Sequence, residues 1–191
     1  SRGLGDVYKR QQWYTQAVAW AAQNGIVNGV GNNKFDPDAK ITREQLAAVL
    51  YRYAGKVGMD VTARADLKLF PDADSVSAYA TDALSWCVAN GIVNGYGSGL
   101  FGPNDPVTRE QLAAILYRYA VYGGMTAVTL EENLGGFADT AQLSAYAIQA
   151  MNWAVGQGLI NGSGSNLVPK AQATRAQVAA ILMRYIENVT K

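Results

Sequence analysis

The sequence predicts an all-α fold. Three helix-loop-helix repeats pack into one compact body with approximate threefold symmetry. Three observations lead there. First, Trp20-Ala-Ala-Gln-Asn-Gly-Ile-Val-Asn-Gly29 returns as Trp86-Cys-Val-Ala-Asn-Gly-Ile-Val-Asn-Gly95 and Trp153-Ala-Val-Gly-Gln-Gly-Leu-Ile-Asn-Gly162. The tryptophans stand 66 and 67 residues apart, and Arg43, Arg109 and Arg175 of a second motif stand 66 apart. A period held over the whole chain is the mark of a repeat architecture. Second, each repeat carries an i, i+3, i+4, i+7 apolar stripe: Leu46, Val49, Leu50, Tyr53; Leu112, Ile115, Leu116, Tyr119; Val178, Ile181, Leu182, Tyr185. Third, two short helices cannot bury such a stripe alone, whereas three pairs from one chain can bury theirs against each other.

Each repeat opens on an apolar-x-Asp segment: Leu4-Gly5-Asp6, Phe70-Pro71-Asp72 and Phe137-Ala138-Asp139. Seven residues after each Asp stands an aromatic: Trp13, Tyr79 and Tyr146. The first helix is expected from about Gln11, Ala78 or Ser144 to the residue before Gly25, Gly91 or Gly158. In the second copy its stripe is Tyr79, Ala83, Trp86, Ala89 and Asn90. The glycine ends it in the left-handed region. A tight loop follows, with Gly29, Gly95 and Gly162 at its start. Asn33, Gly99 and Asn166 sit where positive φ is expected. The second helix starts at Thr42, Thr108 or Thr174. Gln45, Gln111 and Gln177 three residues on complete a capping box. The repeats span residues 1–54, 70–120 and 137–191, joined by linkers 55–69 and 121–136.

Composition narrows the function. The chain has 191 residues, is 49% hydrophobic and 16% charged, and carries a net charge of +1. No Lys or Arg run supplies the basic footprint that nucleic acid or an anionic membrane needs. No apolar run is long enough to span a bilayer. There is no His, which removes the commonest general base and metal ligand. The one cysteine, Cys87, stands where Ala21 and Ala154 stand in the other copies, and is expected as a small buried hydrophobe. No cofactor, metal site or catalytic set is expected, and the chain is not read as an enzyme. It opens without a signal peptide and starts inside a repeat, so a fragment of a longer secreted protein is expected.

The candidate binding residues are those repeated without need of a helix. Arg43, Arg109 and Arg175 lie in the first helical turn, where the dipole already presents positive charge. Two readings stand: a surface Arg paired with Glu44, Glu110 or an Asp, or an anion site in which guanidinium and helix N–H groups point at the same ligand. Glu44 and Glu110 suit a helix start, but Ala176 replaces them in the third copy. Asp6, Asp72 and Asp139 read as turn caps or as acceptors for ligand hydroxyls. Gly29, Gly95 and Gly162 serve the turn and permit close approach to the backbone. Trp20, Trp86 and Trp153, and with them Trp13, Tyr79 and Tyr146, read first as core.

The Thr-Arg-Glu-Gln helix start, the Phe-x-Asp opening, the Trp…Asn-Gly-Ile-x-Asn-Gly core and the Gly-x-x-x-Gly-x-Phe-x-Pro loop together resemble the S-layer homology family. Phe70 to Tyr119 follows its pattern almost throughout. The resemblance implies a three-pronged spindle around a central three-helix bundle. It also implies non-covalent anchoring to secondary cell wall polysaccharide at the bacterial surface, commonly through pyruvylated N-acetylmannosamine. The pyruvate carboxylate would then be the anion that Arg43, Arg109 and Arg175 await, with Asp6, Asp72, Asp139 and the loop backbone holding the sugar. The isolated module is expected to be a monomer. Departures from the family pattern are Gln45, Gln111 and Gln177 in place of Glu, Leu4-Gly5 in the first opening, and a shortened third loop with Val168 read opposite Phe35 and Phe101. That loop puts the third groove in doubt. The alternative function is a protein–protein or self-assembly module of a surface layer.

Overall fold

A computed structural model describes residues 13–29, 35–125 and 133–190. Asp6, Asn33 and much of linker 121–136 lie outside these residues. The described residues contain six α-helices and no strand. They are α1 (Thr15–Gln23), α2 (Arg43–Lys56), α3 (Thr81–Ala89), α4 (Arg109–Tyr122), α5 (Ile148–Gly156) and α6 (Arg175–Asn188).

The long helices α2, α4 and α6 begin as expected. Thr42, Thr108 and Thr174 each accept from the backbone N–H three residues on, and the Gln at that position accepts from the Thr N–H. Their stripes are buried in full, from Leu46 to Tyr53, Leu112 to Tyr119 and Val178 to Tyr185. Each large apolar side chain so removed from water contributes about 1.5–3 kcal/mol. The ring of Tyr119 lies 6.3 Å from that of Tyr53 and 6.0 Å from that of Tyr185, so each long helix sends one tyrosine to a shared interior.

The short helices differ from expectation at their starts. Ala78–Ala80 and Ala145–Ala147 form 3₁₀ turns, and α3 and α5 begin only after them. Ser77 and Ser144 are extended just before the turn, because their N–H groups are held by a carboxylate from another repeat. The α3 face that is buried is Ala83, Leu84, Trp86 and Cys87, while Tyr79 and Ala89 are exposed. The helix ends are as expected, with Gly25, Gly91 and Gly158 at φ 66°, 64° and 67°.

The two helices of one repeat are not each other's partners. α2 packs on α3, α4 on α5, and α6 on α1. Each second helix therefore pairs with the first helix of the following repeat, and the last closes on the first. The backbone shows the same closure. Val107 donates to the Ile41 carbonyl, Ala173 to that of Val107, and Ile41 to that of Ala173, at 2.8–3.1 Å. The three repeats form a closed ring of hydrogen bonds, so no single repeat has a complete core.

The third loop explains itself in this frame. Ser163 and Asn166 exchange hydrogen bonds around a two-residue turn, with Gly164 at φ 59°. In the second loop Tyr96 donates to Leu100, and Gly99 carries the positive φ at 87°. The missing residue is lost from the turn itself, and Asn166 is not left-handed. Register is restored at Leu167, which, rather than Val168, is the counterpart of Phe101. Val168 matches Gly102 and Asp36, and all three have positive φ.

Candidate functional site

The arginines of the repeated motif grip the next repeat. Arg43 donates from Nε to the Phe101 carbonyl at 2.9 Å and from Nη2 to that of Asn94 at 2.6 Å. Arg109 does the same to Leu167 and Asn161, both at 2.9 Å. Arg175 closes the circle on Phe35 at 2.9 Å and Asn28 at 2.6 Å. The first-turn N–H groups are occupied as well. Those of Arg43, Arg109 and Arg175 donate to Asp105, Ala171 and Ala39, and those of the following residues donate to Pro103, Pro169 and Pro37. With the third N–H on the capping Thr, no first-turn N–H is left for an anion. This corrects two expectations. The first-turn N–H groups are not an open anion cradle, and the arginine is tied into the junction between repeats instead of being a loosely paired surface group. Carbonyls of the following repeat accept from the N–H groups of the first turn and from the guanidinium.

Asp72 and Asp139 are used within their own loops. Asp72 accepts from Phe101 and Gly102 N–H at 2.8 and 2.7 Å, and Asp139 from Leu167 and Val168 at 2.7 and 2.8 Å. The Phe101 N–H, with that of Gly102, holds the Asp72 carboxyl below the usual range. At Asp139 desolvation pushes upward, and the two N–H groups outweigh it. These carboxylates fix the carbonyls that the arginines grip. Gly95 and Gly162 serve packing, since a Cβ there would strike the ring of Phe70 or Phe137.

Glu44 and Glu110 reach across to the following repeat. Glu44 accepts from Ser77 N–H at 2.9 Å, Ser77 Oγ at 2.6 Å and Tyr79 Oη at 3.3 Å. Glu110 repeats this with Ser144 and Tyr146, and adds Lys170 Nζ at 2.6 Å. Burial works against the Glu110 charge, but Lys170 and Ser144 together hold its carboxyl below the usual range. Ala176 faces the repeat in which Gln11 and Trp13 stand at the Ser and Tyr positions. The Glu is absent where its hydroxyl donors are absent.

Two of the three repeated rings line cavities. Trp13, Tyr79 and Tyr146 are not core; they are 64%, 55% and 52% exposed. Tyr79 faces a cavity of about 320 Å³ with Arg175, Asn28, Gly29, Gln45 and Arg52. Trp13 faces one of about 250 Å³ with Arg109, Asn161, Gly162, Gln177 and Arg184. The two sets correspond position by position around the ring. In the middle set, the charges of Arg118 and Arg43 bear on the Tyr146 phenol, whose pKa burial and Glu110 push up to about 12. Each of these two cavities thus draws on all three repeats. It holds two arginines, a Gln, a Gly loop and an exposed ring.

Arg52, Arg118 and Arg184 were not singled out from the sequence. Their signal was there, since each stands nine residues after the Arg of the helix start. Among the described residues the Arg52 side chain makes no hydrogen bond, and that of Arg184 makes one, to the Leu159 carbonyl at 3.2 Å. No group of three metal-ligating side chains occurs among the described residues.

The described residues thus form a closed all-α repeat body with cavities lined by arginines and an exposed ring. The S-layer homology domain profile matches residues 4–47, 69–113 and 136–179, and the chain belongs to that family. It is 30% identical over 190 residues to the Surface-layer 125 kDa protein of Lysinibacillus sphaericus, taking in 97% of this chain and 15% of that protein. It is 30% identical over 182 residues to an Amylopullulanase of Thermoanaerobacterium thermosulfurigenes, 94% of this chain and 9% of that one. A Cellulosome-anchoring protein of Acetivibrio thermocellus is 25% identical over 126 residues, 64% of this chain and 27% of that protein. The chain therefore spans a small part of these relatives' length.

Proposed function

We propose that the chain is a non-covalent anchoring module, holding a bacterial surface protein to the cell wall through pyruvylated secondary cell wall polysaccharide. The observation that carries this is the groove of Arg175, Arg52 and Tyr79, which joins two guanidinium groups to an exposed ring around a cavity of about 320 Å³. A pyruvate ketal brings one carboxylate, which a guanidinium fork matches. The sugar ring brings an apolar face, which suits Tyr79. Arg175 spends Nε and Nη2 on carbonyls. Its charge still favours the anion, while Arg52 has its fork free of described partners. Gly29 and Gly162 line their grooves and let the sugar approach the loop backbone. Glu44 and Glu110 act at one remove, by aiming Tyr79 and Tyr146, and Asp72 and Asp139 by fixing the loops. The surface location of the S-layer and anchoring relatives supports this reading. A match to 9% of an amylopullulanase fits a module borne beside an enzyme. Calorimetric titration with wall glycan, before and after chemical removal of pyruvate, tests it. Binding that is lost with the pyruvate is expected, and equal affinity for both glycans contradicts it.

A further inference from the structure

Arg43, Gln111, Arg118 and Tyr146 correspond by repeat position to the residues that line the two cavities, and here a further ring of the protein lies over the arginine. Tyr96 holds the position of Val30 and Ser163 in the other loops. The Arg43 guanidinium carbon lies 4.5 Å from the centre of the Tyr96 ring. Asp105 lies beside the Tyr96 ring, since both are within reach of a Cβ placed at Gly102. Arg43 is only 4% exposed, whereas Arg109 and Arg175 are both partly exposed. Two further residues complete the stopper, and both are peculiar to this repeat. Asp105 stands where Ala39 and Ala171 stand. Gly102 stands where Asp36 and Val168 stand, and a Cβ there would strike Tyr96 and Asp105. A phenol ring over the guanidinium covers a face that an anion would need, and the cation–π contact favours that arrangement.

We propose that Tyr96, seated by Gly102 and Asp105, closes the middle groove, so that the module offers two ligand sites and not three. The ligand in this proposal is that of the anchoring reading, on which it rests. The closure itself is tested without ligand. Arginine modification by phenylglyoxal, followed by mass spectrometry of the full chain, should label Arg43 severalfold more slowly than Arg109 and Arg175. In Tyr96→Ser that gap should close. Equal labelling in the unaltered chain, or a gap that persists in Tyr96→Ser, overturns the closure. Titration calorimetry with a pyruvylated N-acetylmannosamine methyl glycoside then counts sites. Two equivalents are expected for the unaltered chain and three for Tyr96→Ser/Asp105→Ala. Three equivalents in the unaltered chain, or two in a double variant whose Arg43 has become reactive, refutes the stopper. No heat with either chain defeats the glycan reading instead, and the labelling result still decides the closure.

Discussion

Helices α2 and α6 begin with the same Thr-Arg pair but are joined to their neighbours differently. At α2 the following repeat is held by Arg43 and by Glu44, which ties down Ser77 and Tyr79. At α6 the arginine clamp of Arg175 is kept, but Ala176 stands where Glu44 and Glu110 stand in the other copies. The arginine clamp is therefore the element common to every junction. The glutamate is a second tie, present only where hydroxyls can donate to it.

The sharpest way to break this comparison is to remove a clamp. Arg43→Ala leaves two carbonyls without their charged donor in a buried junction, at a cost of about 3 kcal/mol or more. Arg175→Ala, at a partly exposed junction, costs about 1–2 kcal/mol. Urea unfolding of both variants checks the order, and equal, negligible losses would remove the clamp from the account. The same logic makes Arg109→Ala a poor probe of binding alone, since it should lower stability and affinity together.

Transplanting the second tie comes next. Ala176→Glu puts a carboxylate in a buried site opposite a repeat whose sequence has Gln11 and Trp13 in place of Ser and Tyr, and should destabilise by about 2–3 kcal/mol. Glu44→Ala should cost about 2 kcal/mol through its lost hydrogen bonds. If Ala176→Glu proves neutral in thermal unfolding, the hydroxyl explanation for Ala176 fails. The Glu110 tie also carries a pH signature. Its carboxyl is held below the ordinary value, so its stabilisation is full above the unfolded pKa of about 4.3 and is lost as pH falls through the lower folded value. Glu110→Gln should flatten the fall in melting temperature below that pH. A smaller effect, about 1 kcal/mol, is expected for Thr108→Ala, which removes one cap and leaves every inter-repeat contact in place.

Much of the fold could be read from local chemistry. Thr42 with Gln45 marks a helix start, Gly91 marks a helix end, and the Leu46-to-Tyr53 stripe marks a buried face. Each depends on residues within a turn or two of each other. Partner exchange could not be read this way. Nothing near Arg43 in sequence says that its acceptors are the carbonyls of Asn94 and Phe101, more than fifty residues away. For the same reason Tyr79 was placed in the core. Its spacing from Trp86 fits a helical stripe, but Glu44 holds Ser77 extended, a 3₁₀ turn follows at Ala78–Ala80, and the ring stands out at the groove. Arg52 was visible as a repeat and still passed over, because an Arg on a polar helix face looks ordinary until Arg175 is seen opposite it. The arginine of Thr-Arg-Glu-Gln thus serves the junction, and the expected ligand cation moves nine residues along, to Arg52 and Arg184.

That shift is the central claim, and Arg52→Ala/Arg184→Ala tests it most directly. Neither arginine clamps a junction, so the melting temperature should stay within the small range usual for surface changes, about ±0.5 kcal/mol in stability. Calorimetric affinity for the pyruvylated glycan should nevertheless fall by about tenfold or more, as expected when a charged partner is lost. Unchanged affinity in a stable double variant would contradict the account.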